Sequence, residues 1–485
     1  MPKNALVGRV ADEATIRRSP RRLAWLIGPA LVAGVAYLDP GNVASNMTAG
    51  ARYGYLLVWV VVLGNVMAWL IQYLSAKLGV VTGQSLPEAL GHRIRSPWGR
   101  RAYWLQAELV AMATDIAEVI GGAVALYLLF GVPLLWGGLI TGAVSMTLLI
   151  VQSRGGAKPF EFVIMGLVAV IAIGFGYGVF VAPPDGAGVA SGLMIRFDGT
   201  DSVLLAASIL GATIMPHAIY AHSALSRDRF TAVSAQNGAK AAATVSRGVP
   251  LENLRGISTS RLLRATRWDV TIAMLIAGTV NLCILLLAAA NLAGVSGTDT
   301  LEGAYAALHD GIGPAVATLF AVGLLASGLA STSVGAYAGA EIMRGLLLVR
   351  VPLLTRRLVT LIPALAILAF GVDPTLALVL SQVVLSFGIP FALIPLVVLT
   401  ANRGLLGRFR NHGITTAAGI AASAFLVVLN ALLLWLIRKP LRQGHSTALV
   451  DASRFVHSDY RATFYGWEIV NLCHRTVLTG WVLLI

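Results

Sequence analysis

The sequence predicts an all-α polytopic membrane protein of about eleven transmembrane helices, built from two five-helix units of opposite orientation. Composition is the first reason: 57% of the 485 residues are hydrophobic and only 12% are charged, whereas soluble domains carry about a quarter charged residues. The second reason is a series of apolar segments long enough to span a bilayer. The third is a pair of proline-interrupted segments in matching positions of the two halves.

The apolar segments divide the chain into eleven predicted spans. Spans one to five (23–182) form a first repeat, and spans six to ten (202–400) form a second one that enters the membrane from the other side, because five is an odd number. The eleventh span follows the repeats. The predicted spans are 23–47, 55–76, 102–130, 132–152, 160–182, 202–226, 269–292, 313–343, 358–371, 374–400 and 414–437.

The basic residues predict a cytoplasmic N-terminal segment (1–22) and a location in the cell membrane. In this orientation, the inner segments before residue 438 hold 28 Lys and Arg residues, and the outer loops hold two, Arg52 and Arg196. Such a bias follows the positive-inside rule. The net charge of +14 therefore indicates basic inner loops and not a nucleic-acid partner.

Two regions depart from the pattern of spans. Residues 227–268 are expected to form a long, mostly irregular cytoplasmic loop, which ends in a basic piece at the membrane surface (Arg261, Arg264 and Arg267). The tail, 438–485, is atypical, and whether it contains a weak twelfth helix stays open.

The first span contains a break that a lipid-facing helix would not tolerate. Residues 36–42 read AYLDPGN, which places the carboxylate of Asp39 near bilayer depth. Pro40 has no N–H to donate to the carbonyl of Ala36, so that oxygen is expected to be free. With the amide oxygen of Asn42, these groups are hard oxygen ligands for a cation. We expect an unwound segment facing a cavity; the alternative is a kinked helix with a solvated Asp39.

The sixth span contains a second break, where residues 212–217 read ATIMPH. By the same argument, Pro216 frees the carbonyl of Ala212, and Met215 adds a thioether. This soft ligand gains little from Ca²⁺ or Mg²⁺ and more from transition metals. The two breaks together therefore predict a site for Mn²⁺, Fe²⁺ and related ions.

Other polar and sulfur-containing residues are weaker candidates. Gln382 in span ten offers one more amide oxygen, although an interhelical hydrogen bond explains it nearly as well. Asn281 and Asn430 are assigned to helix packing. The two cysteines, Cys283 and Cys473, predict neither a disulfide framework nor a thiolate metal site.

Span three holds three carboxylates, Glu108, Asp115 and Glu118. Offsets of seven and three residues place them on one helical face, which indicates a polar conduit. Asp115 and Glu118 lie deep in the span, so proton transfer is the favoured role for both. Glu108 lies nearer the end and is as well explained as an interfacial charge.

Span six adds His217 and His222, and histidine titrates near physiological pH. His217 is expected to take part in proton transfer, whereas His222 is as well explained as a packed polar residue. Arg357, at the start of span nine, is either a partner for an acid of span three or an interfacial charge. This carboxylate–histidine set points to H⁺ as the coupling ion.

Enzyme signatures are absent from the sequence. It contains no His-Glu-x-x-His, no Gly-x-Ser-x-Gly and no phosphate loop ending in Gly-Lys-Ser/Thr. We therefore expect neither an enzyme nor an ATP-driven pump, and no prosthetic group or obligate protein partner is inferred. The expected partners are divalent metal ions, protons and the lipid bilayer.

The motifs resemble the signatures of the Nramp family of divalent-metal transporters. The resemblance covers roughly residues 24–437 and is carried by the paired breaks DPGN (39–42) and MPH (215–217), with TDIAEVIG (114–121) and SQVV (381–384). It implies a LeuT-type fold of two inverted five-helix repeats and H⁺-coupled uptake of Mn²⁺ and Fe²⁺.

The resemblance also implies residue roles. The metal ligands would be Asp39, Asn42, Met215 and the carbonyls of Ala36 and Ala212, with Gln382 joining in some states. The proton-linked set would be Asp39, Asp115, Glu118, His217 and Arg357.

The sequence departs from the family pattern in span eight. Residues 328–335 read GLASTSVG, with Leu329 where a glutamine is usual, and Ala340 occupies a second such place. Two alternatives to metal symport remain. One is a Na⁺-coupled organic-solute symporter of the same fold, in which the charge of Asp39 would oppose a substrate carboxylate. The other is a sensor that binds metal without moving it.

Overall fold

A computed structural model describes residues 28–155, 157–231, 258–349 and 352–442. The predicted N-terminal segment 1–22, most of the predicted loop 227–268 and the tail beyond residue 442 lie outside these ranges. Regular structure in the described chain is entirely helical. Its α-helices are α1 Pro29–Gly34, α2 Pro40–Tyr53, α3 Val58–Thr82, α4 Leu86–Arg93, α5 Pro97–Phe130, α6 Leu134–Gly155, α7 Ala157–Val181, α8 Gly186–Ser191, α9 Gly199–Thr213, α10 Pro216–Thr231, α11 Thr259–Asn291, α12 Leu301–Gly311, α13 Pro314–Ile342, α14 Leu353–Ala369, α15 Pro374–Ala401, α16 Arg403–Leu406 and α17 Gly413–Arg442.

All eleven predicted spans correspond to helices of the described chain. The first span is α1 and α2, the sixth is α9 and α10, and each of the others is a single helix. Eight helical stretches among the described residues are long and apolar enough to cross a membrane, and two shorter apolar helices accompany them, Pro29–Leu38 and Leu134–Ile150. The expected eleven-span architecture is therefore present, with shifted boundaries.

Two boundaries differ from the prediction for physical reasons. The first span continues to Tyr53, because Gly54, at φ 56°, provides the left-handed conformation that ends α2. The basic piece around Arg264 is not separate from span seven, since α11 begins at Thr259 and runs through it without interruption.

The break in the first span is built by Asp39 and Pro40. The helix α1 continues as a 3₁₀ turn, Val35–Leu38, before Asp39 adopts an extended conformation (ψ 162°). The Asp39 side chain then caps α2 by accepting the N–H of Asn42, and Pro40 occupies the first helical position, where its missing N–H costs nothing. The carbonyl of Ala36 is not free as expected: it accepts the N–H of Asp39 at 3.2 Å, because the tighter turn supplies a donor.

The second break separates α9 from α10. Ile214 leaves the helical conformation (φ −118°, ψ 49°), and Pro216 begins α10. The Met215 carbonyl accepts the N–H of Ile219 and starts the new helix. Proline therefore starts the second half-helix in both spans.

Glycines bring the two breaks against α15. A Cβ atom on Gly41 would lie 1.7 Å from Nε2 of Gln382, and a Cβ on Gly211 would lie 1.9 Å from the Gln382 carbonyl oxygen. Only glycine permits backbones to approach so closely. The two halves of the chain consequently converge on α15 at Gln382.

Candidate metal site between the two helix breaks

Asp39 lies at the centre of the converging segments and is completely buried. Its Oδ1 accepts the backbone N–H of Asn42 at 2.8 Å, and its Oδ2 accepts Nε2 of Gln382 at 3.2 Å. A carboxylate held by an unwound backbone and one amide retains acceptor capacity for a further ligand. The structure thus brings Asp39 and Gln382 together, as the site prediction requires.

Asn42 connects the two breaks. Its Nδ2 donates to the carbonyl of Tyr37 at 2.7 Å and to the carbonyl of Ala212 at 2.9 Å. The Ala212 carbonyl, expected to be free, therefore has a donor from the opposite break. The Oδ1 of Asn42 accepts from Nδ2 of Asn46 at 3.2 Å, a contact that the sequence analysis did not foresee.

Met215 is completely buried in the second break. It follows Ala212 by three residues, and the Ala212 carbonyl touches the Asn42 amide. The backbone of the second break thus lies against the first, which places a thioether-bearing segment beside the oxygen groups. That proximity is what the soft-ligand argument needs.

Buried amide oxygens without a hydrogen-bond donor surround the break. Among the described residues, Oε1 of Gln382, Oδ1 of Asn281 and Oδ1 of Asn46 have no hydrogen-bond partner. Leaving such groups unsatisfied costs free energy, and a cation is a partner that amide oxygens accept. The donor set thus fits a transported divalent cation as substrate.

Asn281 does more than pack helices together. Its Nδ2 donates to the carbonyl of Tyr37 at 3.0 Å, so α11 holds the unwound backbone of the first break. Asn430, in contrast, exchanges two hydrogen bonds with Ser386 of α15, which confirms its assignment to packing. In the sequence the two asparagines look alike, since each is a lone polar residue in an apolar helix. Only the folded structure shows that they make different contacts.

The acids of α5 form a buried ionic network with α14. Arg357 donates through Nη1 to Asp115 at 2.8 Å and to Glu118 at 3.1 Å. Arg356 donates to Glu108 at 2.9 Å and to the other oxygen of Asp115 at 3.0 Å. All five side chains are buried, so the interfacial interpretation of Glu108 and Arg357 is wrong. Arg356 was missed, although two adjacent arginines before an apolar helix were a visible signal.

The network comes close to the candidate metal site. A Cβ atom on Gly121, three residues after Glu118, would lie 2.1 Å from the Cβ of Pro40, so α5 packs directly against the first break. His217 hydrogen-bonds Thr114, the residue before Asp115 in α5. The predicted proton-linked residues therefore lie on helices that contact one another around the breaks.

The two histidines of α10 have different neighbours. His217 shares a hydrogen bond between Nδ1 and the Thr114 hydroxyl, at 3.1 Å. The Nδ1 atom of His222 lies 2.6 Å from Oε1 of Gln72, and Gln72 hydrogen-bonds the Tyr37 hydroxyl in the first break. His222 is thus linked to the break through two polar side chains and is more than a packed residue.

A second ionic cluster lies at the end of α10, away from the breaks. Arg227, 1% exposed, contacts Glu88 of α4 at 2.5 Å and Glu341 of α13 at 3.1 Å. Arg344 joins the same two carboxylates, each at 3.0 Å. The hydroxyl of Tyr337 donates to Asp228 at 2.6 Å. The cluster leaves no signal in the sequence, because its members lie on three distant segments.

Two broken helices that meet at a buried polar centre, beside a buried network of carboxylates and arginines, define the architecture of a multi-pass secondary carrier. The profile of the family described as natural resistance-associated macrophage protein-like, or Nramp, matches residues 30–436. The chain belongs to this family.

Relatives and solved structures agree with this assignment. The divalent metal cation transporter MntH of Mycobacterium tuberculosis is 56% identical over 435 residues, which are 90% of this chain and 96% of that protein. The structure of the Eremococcus coleocola manganese transporter is 29% identical, covers 95% of both chains and has a TM-score of 0.76. Mhp1, a nucleobase-cation-symport-1 family transporter, is 13% identical with a TM-score of 0.54, over 88% of this chain and 96% of that one. These matches confirm the predicted LeuT-type fold with its inverted repeat.

Proposed function

We propose that this protein is a divalent-metal transporter that carries Mn²⁺ and Fe²⁺ inward across the cell membrane together with protons. The observation that carries the proposal is the meeting of Asp39, Asn42 and the Ala212 carbonyl between the two breaks. Two of the similar proteins, a divalent metal cation transporter and a manganese transporter, support the same substrate class. The cytoplasmic position of the N-terminus belongs to the proposal and rests on the distribution of Lys and Arg.

The proposed ligands are two side-chain oxygens, two carbonyls and one thioether. Without metal, the amide of Asn42 occupies the carbonyl of Ala212, and the N–H of Asp39 occupies the carbonyl of Ala36. A cation would replace these donors and present a positive charge to the same oxygens. Met215 would complete the set and disfavour Ca²⁺, which prefers an all-oxygen shell. Gln382 would contribute its unpartnered Oε1.

Proton coupling is proposed for the network that begins beside Asp39. A cation at Asp39 favours the ionised carboxylate, so binding releases a proton when that carboxyl is protonated. Glu118 and Asp115, held by Arg357, and His217 would receive or relay protons. Glu108, held by Arg356, and His222, which contacts Gln72, would extend the set. Alternating access would then expose the loaded site to the other side.

The test is Mn²⁺ uptake into proteoliposomes, with and without an inward proton gradient and with a series of competing Ca²⁺ concentrations. We expect gradient-stimulated uptake that Ca²⁺ does not inhibit. Uptake independent of the gradient would overturn the proton coupling and retain the metal site. Absence of uptake, with Mn²⁺ binding retained, would favour a sensor; stimulation of organic-solute uptake by Na⁺ would favour the other symporter.

The Glu118→Gln variant separates coupling from metal binding. It removes one titratable group from the network, so we expect Mn²⁺ binding to persist and the stimulation by the proton gradient to fall about tenfold or more. Glu302→Gln, on the short helix α12, makes the same chemical change outside the network and should retain normal stimulation. Isothermal titration with Mn²⁺ checks binding, and the uptake assay checks coupling; normal stimulation in both variants would remove Glu118 from the pathway.

A further inference from the structure

The helices α3 and α11 lie antiparallel and contact each other through pairs of residues. The pairs near the end of α3 and the start of α11 include basic residues. Nε1 of Trp69 donates to the hydroxyl of Thr271 at 2.9 Å. Four residues further along α3, and four residues back along α11, the guanidinium of Arg267 lies over the ring of Tyr73, 5.2 Å from its centroid. This stacking holds Arg267 at the groove between the helices by a cation–π contact.

Lys77 follows Tyr73 by one turn on α3 and adds a second cation. Its side chain is 7% exposed, and its Nζ donates to Oδ1 of Asn411 at 3.0 Å. An ammonium group has three donors, and this is the single hydrogen bond that the Lys77 ammonium makes to the described chain. Residues four apart share a helix face, so Lys77 lies on the same side of α3 as Tyr73 and the Arg267 guanidinium stacked on it.

The two cations lie on the same side of α3, and neither has an acidic partner in the described chain. Within the residues that the structure describes, no carboxylate oxygen lies within 4.0 Å of Lys77 Nζ or the Arg267 guanidinium nitrogens. Two like charges held together in a partly desolvated groove repel one another. An anion between them would relieve the repulsion and supply acceptors for the remaining ammonium and guanidinium donors.

The surface next to this cation pair is apolar and faces outward. On α11, Trp268 is 62% exposed and Leu275 is 64% exposed, and on α3 Val66 is 60% exposed. A tryptophan beside basic residues, with aliphatic residues beyond it, is the order of groups at a membrane interface. A ligand of this groove would therefore be anionic at the cation pair and apolar along the helices.

We propose that Lys77 and Arg267 bind the phosphate of an anionic phospholipid headgroup. The planar guanidinium of Arg267, fixed by Tyr73, suits two phosphate oxygens, and the ammonium of Lys77 takes another. The acyl chains lie along the exposed apolar residues of α3 and α11. The lipid joins α3, α11 and the connection that carries Asn411. This site is separate from the helix breaks and does not rest on the proposed function.

Native mass spectrometry of the full-length protein, titrated with phosphatidylglycerol or phosphatidylcholine in detergent, tests the proposal. We expect phosphatidylglycerol to bind the unaltered protein more tightly than phosphatidylcholine, and Arg267→Gln to weaken that binding about tenfold, the loss expected for a charge-assisted contact. Arg101→Gln is the matched control, because Arg101 also stacks on an indole ring, that of Trp98, at 5.0 Å.

Any of the following three outcomes would overturn the proposal. An equal loss of binding in Arg267→Gln and Arg101→Gln would show attraction by overall charge. Inorganic phosphate that competes fully with the lipid would show a site for a soluble anion, and equal binding of the two lipids would show no headgroup selectivity. Lys77→Gln should also weaken binding; if this buried change prevents folding, Arg267→Gln, at an exposed position, decides alone.

Discussion

At the scale of single residues, the site depends on Asp39, a carboxylate at a depth where a membrane helix rarely carries a charged side chain. Asp39 acts as the cap of α2 and as the proposed ligand at once. The two roles are separable, since asparagine is as good a cap as aspartate but carries no charge. A substitution that preserves the fold can therefore remove the chemistry.

We predict that Asp39→Asn folds normally but loses Mn²⁺ uptake. The asparagine keeps an acceptor for the Asn42 N–H, while the anionic ligand and the titrating group both disappear. Asp373→Asn is the control, because Asp373 caps α15 through the N–H of Leu376 at 2.6 Å and lies outside the breaks. Uptake at the unaltered rate in Asp39→Asn, measured in proteoliposomes, would contradict the role of this carboxylate.

The thioether of Met215 makes a different prediction. In Met215→Ala we expect discrimination against Ca²⁺ to weaken more than Mn²⁺ binding does, because Ca²⁺ gains nothing from sulfur. Competition of Ca²⁺ with Mn²⁺ uptake measures this ratio. Met274→Ala removes another buried methionine, one that belongs to α11 and to neither break, so a shift of the same size there would point to general loosening of the core.

At the scale of helices, the two proline-started half-helices are useful only because α15 can approach both of them. Gly41 and Gly211 allow this approach on either side of Gln382. The unwound segments are then held by Asn42 and Asn281, which share the Tyr37 carbonyl as acceptor. A break in an isolated helix would be a defect, whereas here it is part of a packed centre.

We predict that Gly211→Ala destabilises the protein and reduces uptake. The new Cβ would lie 1.9 Å from a backbone oxygen, which cannot rotate away as a side chain can, and overpacking costs about 1–3 kcal/mol of unfolding free energy or more. Gly166→Ala in α7 is the control, since a Cβ there meets nothing within 4 Å. Thermal unfolding in detergent should show a lower midpoint for Gly211→Ala alone.

At the scale of the whole molecule, two buried ionic clusters connect segments that are far apart in sequence. One links α5 to α14 through Arg356 and Arg357, and the other links α4, α10 and α13 through Arg227. Buried charges are costly unless they are paired. Each cluster consequently favours one arrangement of the helices that it joins.

We predict that Arg227→Met lowers the free energy of unfolding by about 3–5 kcal/mol, because it leaves Glu88 and Glu341 with one cation fewer in a buried place. Arg344→Met removes an arginine from the same two carboxylates, but its side chain is 42% exposed, so its loss should cost about 1 kcal/mol or less. Thermal or denaturant unfolding compares the two. Equal losses of unfolding free energy in the two variants would mean that the burial of Arg227 does not increase its contribution to stability.

The helical spans and the two breaks could be predicted from the sequence, because each leaves a local mark. Apolar length marks a span, and proline beside a carboxylate marks a break. The pairing of Arg357 with the acids of span three was also foreseeable, since a buried arginine needs a carboxylate.

The tertiary structure decided which donors and acceptors meet. Only folding shows that Asn42 takes the Ala212 carbonyl, that Ala36 is satisfied within a 3₁₀ turn, and that Arg356 shares Asp115 with its neighbour. The physical reason is that hydrogen bonds and ion pairs act over a few ångströms, so they depend on the exact turn geometry at Ala36 and, for Asn42 and Arg356, on residues that lie more than a hundred positions away in the chain. Hydrophobicity and backbone geometry can be predicted from the order of residues along the chain, whereas the partners of these hydrogen bonds and ion pairs meet only after the helices have packed.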